Sequence, residues 1–473
     1  MRSVTGAPAR LDSRPSPLIH TLAHRWHRGA ASIGRSLYRD AAPPSLYGGR
    51  RVALLATLLI AGAAISLART SPAHWDVLWA EDGPVFLRAA YVLGPEVIFE
   101  PYAGYLHVAP RLLAEIAALF PLSVAPAVVT LLAALSLSVV ACACFVFVET
   151  VVLHPAPRIA AWIGVVAAPT GTGEVLNSIA NLHWFLLIGG FCAVLARPRP
   201  GAALWVAQVS VLSLAVLSDA LGLLLVPLVV IRALLRGGRA DWIMVIMVGI
   251  AGLIQMVGTT AGAIVMGERN TSGQLPTLGE LLDVYAFRVV APTLIGVAGT
   301  ERIPGRLEVL VPLLATCLLT AILVGAATRV RWNRGHVLAY AMASMAITAV
   351  VYSLQWQWLG APRELWIGER YAVVPTVLLG LALIVAAGSL IEKVGTRSVA
   401  RGLGVLVLLW IVILAAIDFR SGDRRVSEEP WATVVSAASI ACADGAASVA
   451  LPIAPEGWAL ELSCAVIGTT DLR

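Results

Sequence analysis

The polar residues of this chain gather in a few short clusters, and the types and spacing within each suit one piece of chemistry. Glu81 and Asp82 stand side by side in Trp79-Ala80-Glu81-Asp82-Gly83-Pro84. A carboxylate held beside an acceptor hydroxyl can act as a general base, worth about 10² to 10⁴ in rate, and partial burial lifts its proton affinity toward the working range. Adjacent residues of a helix point in different directions, so the two acids are not expected to share one proton. Taken alone, the pair reads at least as well as a helix cap or as solvated interfacial charge.

A second cluster runs Pro362-Arg363-Glu364-Leu365-Trp366-Ile367-Gly368-Glu369-Arg370-Tyr371. A phosphate group needs a cation to meet it, and the guanidinium fork suits phosphate. Arg370 is the first candidate and Arg363 the second; both also read as snorkelling anchors or as partners of Glu364 and Glu369. Arg88, Arg269 and Arg288 are further cations on the same side, and residues 267–273 form a loop able to close over a substrate.

The third cluster is Glu174 to Trp184. Asn177, Asn181 and Trp184 recur at spacings of four and three, which on a helix places them on one face, able to hydrogen-bond and stack on a sugar. A satisfied helix terminus with an interfacial Trp fits the same residues, and His183 is expected to turn away from Asn181. Tyr102 and His107, in Pro101-Tyr102-Ala103-Gly104-Tyr105-Leu106-His107, are further candidates for contact with a sugar or a pyrophosphate, although a lone interfacial His is more often structural. Asp219 reads as a cap at a hairpin tip.

These clusters must be positioned by membrane helices. Of 473 residues, 59% are hydrophobic and 13% charged, against roughly a quarter charged in soluble domains. Apolar segments fall near 52–68, 125–149, 159–170, 182–196, 202–217, 220–236, 241–261, 307–328, 336–354, 371–391 and 402–417. Each is a candidate helix across a hydrocarbon core of roughly 30 Å, which predicts an all-α polytopic protein with about eleven spans. With the N-terminus inside, the inner loops hold 21 of the 34 basic residues but only five of the 28 acids. That asymmetry fits a cytoplasmic N-terminus, an extracytoplasmic C-terminus and an odd number of crossings. Residues 1–51 then form a basic, mostly disordered cytoplasmic arm, 52–418 the membrane domain and 419–473 a small extracytoplasmic α/β unit. The arm has no interleaved aromatics and no recognisable module for nucleic acid, which is not an expected partner, whereas membrane lipid is. The outer loop, residues 69–122, carries Trp75, Trp79, Phe86, Tyr91, Phe99, Tyr102 and Tyr105, which suit a helix lying in the interface and put Glu81 and Asp82 at membrane level.

An acidic pair soon after the first span, interfacial helices, many hydrophobic spans and a small outer C-terminal unit together resemble the GT-C superfamily of integral-membrane glycosyltransferases, in an actinobacterial-type branch. The resemblance is specific around residues 75–111, 174–184 and 363–375. It implies a polyprenyl-phosphate sugar donor, a lipid or cell-envelope glycan acceptor, and a catalytic acid in the first outer loop, with Asp82 the expected base of an inverting transfer. A divalent metal stays optional, because no dense acidic ligand set is visible, and no other cofactor follows.

Cys142, Cys144, Cys192 and Cys317 lie within spans as small apolar fillers, with no zinc spacing. Cys442 and Cys464 lie in the outer tail, where oxidising conditions allow a disulfide. No G-x-x-x-x-G-K-[ST], G-x-G-x-x-G or H-E-x-x-H occurs, so a bound nucleotide or a zinc hydrolase has no support. A lipid-linked glycan transporter or flippase would place ionisable residues at mid-membrane and repeat its halves, and neither feature is visible. A non-catalytic membrane partner of envelope assembly would need no outer acid pair.

Overall fold

The computed structural model describes residues 33–34, 36–39, 41, 48–266, 275–329, 333–356, 364–392, 399–420, 425 and 429–470. Most of the basic arm, the loop 267–273 with Arg269, and Arg363 lie outside the described residues.

The molecule is a multi-pass helical bundle. Its main helices are α1 (Gly48–Ala68), α2 (Val108–Ala117), α3 (Ala125–Glu149), α4 (Pro155–Val166), α5 (Leu182–Leu195), α6 (Ala202–Ser218), α7 (Leu225–Arg236) and α8 (Arg239–Met266). They continue with α9 (Leu278–Glu301), α10 (Leu310–Arg329), α11 (Arg334–Gln355), α12 (Arg370–Glu392) and α13 (Val399–Ile417). Among the described residues eight helices, α1, α3 and α8 to α13, are long and apolar enough to cross a membrane.

That count departs from the eleven apolar segments in two ways. Helices α4, α5, α6 and α7 are only 12, 14, 17 and 12 residues long. Every residue of α5 is buried, so it is wrapped by other helices, and hydropathy does not separate such a core helix from a lipid-facing one. Conversely α9 is an apolar helix where the sequence reads as loop, because Glu280, Asp283, Arg288 and Glu301 dilute its hydropathy. Its chain breaks at Gly296, with φ 77°, and Asp418 accepts from the freed N–H groups of Val297 (2.8 Å) and Ala298 (3.0 Å). A Cβ on Gly296 would lie 2.5 Å from the Asp418 carboxylate.

Hydrogen bonds sort the helix ends into two groups. At one end Glu149 pairs with Arg51 (2.8 Å), Arg158 (3.0 Å) and Arg199 (3.1 Å), and Asp241 pairs with Arg232 (3.0 Å) and Arg236 (2.5 Å). At the other end Arg69, at the foot of α1, donates to the carbonyls of Val166 (2.9 Å), Ala168 (2.7 Å) and Phe419 (3.2 Å). Glu81 and Asp82 belong to this second end.

The loop that carries them is not one interfacial helix. Pro72, Pro84, Pro95 and Pro101 cut it into short turns, with a helical stretch over 83–92 and α2 as its longest piece. It shares a core with the C-terminal unit, where Phe86, Leu87, Ala114 and Leu122 meet Trp431, Leu451, Leu460 and Leu462. That unit is α14 (Trp431–Ala443) followed by an antiparallel hairpin, β1 (Ser448–Ile453) and β2 (Trp458–Ser463). The Cys442–Cys464 disulfide joins its helix to the end of its hairpin.

Candidate active site

Three distant parts of the chain build the acid site. The first is the C-terminal hairpin. Ala454 accepts from Ala80 N (2.6 Å) and donates to the Leu78 carbonyl (3.1 Å), so the hairpin pairs with the residues just ahead of the acid pair. Gly83 packs closely on the hairpin, where a Cβ would meet the tip of the Ile453 side chain at 2.8 Å. Ala80 itself is left-handed, with φ 43°, a strained state for a residue with a side chain that the two hairpin bonds hold in place. From it the chain turns into Ala80–Asp82, which buries Asp82 and leaves Glu81 half-buried.

The second part is the segment before α5. Asp82, at 1% exposure, accepts at Oδ1 from Ser178 Oγ (3.0 Å) and the Ala180 backbone N–H (2.8 Å). Oδ2 accepts none. Among the described residues none forms an ion pair with Asp82. Burial pushes its proton affinity up to about 7, against the opposing pull of the Arg425 charge and of these two hydrogen bonds, and with a further push from Glu81.

The third part is Arg425. It donates to the backbone carbonyls of Asn177 (2.9 Å) and Leu176 and lies over the Trp79 ring at 5.7 Å. It thereby ties the two backbone pieces around Asp82 together.

The expected sugar-facing asparagines have other roles in this geometry. Residues 172–181 form turns, and α5 starts only at Leu182, so Asn177, Asn181 and Trp184 do not share a helical face. Asn177 is left-handed (φ 56°), and its amide binds Ser66 Oγ (2.7 Å), the Ser66 carbonyl (3.0 Å) and Thr70 (3.1 Å) at the end of α1. Asn181 donates to the Glu174 carbonyl (3.1 Å) and to Ser178 Oγ (3.3 Å), the hydroxyl that serves Asp82. Both asparagines hold the scaffold of the acid.

A row of rings leads away from Asp82. Phe86, one turn further along, lies 6.0 Å from Tyr102 and 5.5 Å from His107. His107 stacks on Tyr105 at 4.2 Å and sits 5.8 Å from His183, which is 4.7 Å from Trp184; Trp184 is 5.6 Å from Tyr371. Tyr102 and Tyr105 exchange backbone hydrogen bonds across a tight turn through Ala103 and Gly104, with φ 53° and 89°. Burial lowers the His107 pKa to about 3, so it stays neutral. His183 Nε2 stands 3.9 Å from Asp219 Oδ2. Among the described residues neither ring nitrogen of His183, nor Trp184 Nε1, nor Asp219 Oδ2 has a hydrogen-bond partner. Asp219 caps the next turn through Oδ1 and Leu221 N (2.8 Å), and burial pushes it too up to about 7.

Arg370 closes the row. Its side chain is 36% exposed, lies over the Tyr371 ring at 5.3 Å and stands 3.9 Å from Glu174. The Glu81 charge acts on both Arg370 and Asp82, which places Glu81 between them electrostatically. The other expected cations are committed elsewhere. Arg88 is exposed and donates to the Glu461 carbonyl of β2 (3.1 Å), and Arg288 donates to Ile367 (2.6 Å) and Glu364 (2.7 Å) carbonyls. No group of three or more metal-ligating side chains occurs among the described residues. Among the described residues the donor set around Asp82 does not fit a resident metal.

No family model matches the chain, and no curated protein does. Among solved structures it is similar to the archaeal oligosaccharyltransferase AglB from Archaeoglobus fulgidus, in complex with an inhibitory peptide and a dolichol-phosphate, at 13% identity and a TM-score of 0.41. The match covers 83% of this chain and 58% of that one, so the chain spans less than two thirds of its length. A likeness at that level carries no activity across.

Proposed function

We propose that the chain is a membrane glycosyltransferase that moves a sugar from a polyprenyl-phosphate carrier to a hydroxyl of a lipid or envelope-glycan acceptor on the extracytoplasmic face. The observation that carries this reading is Asp82: a buried carboxylate with no ion pair among the described residues, one oxygen fixed by neutral donors and the other left for a proton. A carboxylate kept unpaired at low dielectric is poised to take a proton near neutral pH.

In the proposed reaction the acceptor oxygen attacks the anomeric carbon as the bond from that carbon to the phosphate oxygen breaks. The hydroxyl proton passes to Asp82 Oδ2, and the electron pair leaves with the polyprenyl phosphate. Negative charge grows on that phosphate as the bond breaks, so Arg370 acts mainly in the transition state. Tyr102, His107 and Trp184 offer ring faces and polar edges to the sugar between them. Attack opposite the leaving group inverts the anomeric centre.

Eleven crossings with the acid end outside follow when α4 to α7 are counted with the long helices and α9 is laid along the outer surface. Arg288 and Val297, both in α9, bond to groups at that one end, which supports this placement. The charge asymmetry of the loops sets its direction.

The test is a transfer assay with purified protein in lipid nanodiscs, a prenyl-phosphate sugar as donor and extracted envelope lipids as acceptors. An inverted anomeric configuration in the product is expected. A retained configuration refutes direct attack assisted by Asp82.

A further inference from the structure

Several arginines at the Glu149 end of the bundle are spent inside the fold, Arg51, Arg158 and Arg199 on Glu149, Arg232 and Arg236 on Asp241. Arg401, in the first turn of α13, differs. It is exposed, forms no ion pair among the described residues, and lines a cleft of about 720 Å³ between α4 and α13. Sites that hold a whole small ligand run from roughly 300 to 1,000 Å³. Arg401 and His154 are the polar side chains of the lining; Ile159, Ile163, Val405 and Val412 typify the rest. Both polar residues sit where their helices begin, His154 as the N-cap of α4. The His154 Nδ1 accepts from the Ala156 backbone N–H (3.2 Å), which leaves the ring proton on Nε2 as a donor. Glu392, at the end of α12, accepts from the backbone N–H groups of Leu153 and of His154 (2.7 Å), so its charge is committed to the start of α4.

Along α13 the distance from Arg401 to Val412 is about 16 Å, against about 15 Å for one leaflet of hydrocarbon. The cleft therefore pairs a cation at headgroup level with an apolar trough as deep as one leaflet. We infer that it binds one anionic phospholipid of the leaflet at the Glu149 end, its phosphate on Arg401 and His154 and an acyl chain along Ile159 and Val412. Charge selects the headgroup: residues 393–398, which join α12 to α13, add Lys393 and Arg397 and no acid, and an anionic lipid gains at each neighbouring cation. Helix α13 is thinly held by protein, with Gly404, Leu408 and Leu414 its buried residues. Yet just beyond its far end Asp418 accepts from Val297 of α9, and the Phe419 carbonyl accepts from Arg69. A lipid filling the space between α13 and α4 steadies those bonds from the opposite end. This lipid is a structural ligand and takes no part in the transfer reaction, so failure of the transferase reading leaves the inference intact.

The experiment is native mass spectrometry of delipidated full-length protein in a maltoside detergent, titrated with dioleoyl phosphatidylglycerol, dioleoyl phosphatidylcholine and geranylgeranyl phosphate. One phosphatidylglycerol should be retained at about fivefold lower concentration than phosphatidylcholine with the same chains. Arg401→Gln should remove that preference, while Arg239→Gln, at another exposed arginine of the same end, should leave it. Val412→Trp fills the trough and should weaken both phospholipids together, by about tenfold. Arg401 and Val412 are exposed, so both variants should melt like the parent in detergent alone, and if one unfolds the other carries the test. Equal retention of the two phospholipids by the parent, an equal loss in Arg239→Gln and Arg401→Gln, or retention unaltered by Val412→Trp overturns the inference. Displacement of the bound lipid by geranylgeranyl phosphate at lower concentration than by phosphatidylglycerol itself assigns the cleft to the sugar carrier and also overturns it.

Discussion

The two ends of the bundle treat a buried carboxylate in opposite ways. Glu149 is ringed by three guanidinium groups, from Arg51, Arg158 and Arg199, all within 3.1 Å. Asp82 has a hydroxyl and a backbone N–H, and no cation within ion-pair distance among the described residues. Glu149 is thus locked as an anion that ties helix ends together, whereas Asp82 can exchange a proton. A buried acid compensated by charge is structural; one compensated only by dipoles keeps a choice of protonation state.

The largest effect that sharpens this contrast is expected at Asp82 itself. Asp82→Asn keeps an oxygen for Ser178 and Ala180 but cannot take the proton, so transfer should fall by about 10² or more. The variant should stay folded. Because the folded-state pKa of Asp82 is about 7 and therefore above its unfolded value, raising the pH from about 4 to about 7 weakens the fold; above 7 the loss is complete. Removing the ionisable group removes that loss, so thermal melting above pH 7 should be no lower for Asp82→Asn than for the parent chain. Glu149→Gln breaks the comparison from the other side: it should lower stability with little change in the rate of the protein that remains folded.

Arg370→Lys comes next. It keeps a charge at the surface but loses the planar fork, so donor use should weaken about tenfold at equal expression. A Lys variant with unaltered donor titration would leave Arg370 as an anchor of α12.

The run of membrane helices and the cysteine pair in the tail were legible from hydropathy and residue type. The supports of the site were not. Ser178 and Ala180 reach Asp82 from almost a hundred residues away, Arg425 reaches Asn177 from still further, and Ala454 pairs with Ala80 across most of the chain. None of these partners has a local pattern, because each is set by packing between distant elements. The spacing of Asn177, Asn181 and Trp184 misled for a related reason. Helical periodicity was read where the left-handed Asn177, bonded to the end of α1, keeps the chain in turns.

The hairpin that pairs with Ala80 gives a further test. Cys442→Ser with Cys464→Ser opens a link between residues 22 apart, for which chain entropy gives roughly 3 kcal/mol. Melting should fall accordingly, while activity at low temperature drops only severalfold, since the core around Trp431 and Leu451 still docks the unit. Mass mapping without reduction that finds both thiols free would refute the disulfide.

The smallest effects concern the neighbours of the base, and they differ in sign. The Ser178 hydroxyl lowers the proton affinity of Asp82 and the Glu81 charge raises it. The acid limb of the rate profile should therefore move up in Ser178→Ala and down in Glu81→Gln, each with a rate change of only a few fold at its own optimum. Shifts in the same direction would show that another group controls the limb.

Base catalysis by Asp82 is tested most directly by the pH dependence of single-turnover transfer, measured for the parent chain and for Asp82→Asn in the same nanodiscs. The parent rate should climb with pH and level off around an apparent pKa near 7, set by the buried carboxylate. The residual rate of Asp82→Asn should be flat across that range. The same rising limb in both proteins would contradict Asp82 as the base and return it to the structural class of Glu149.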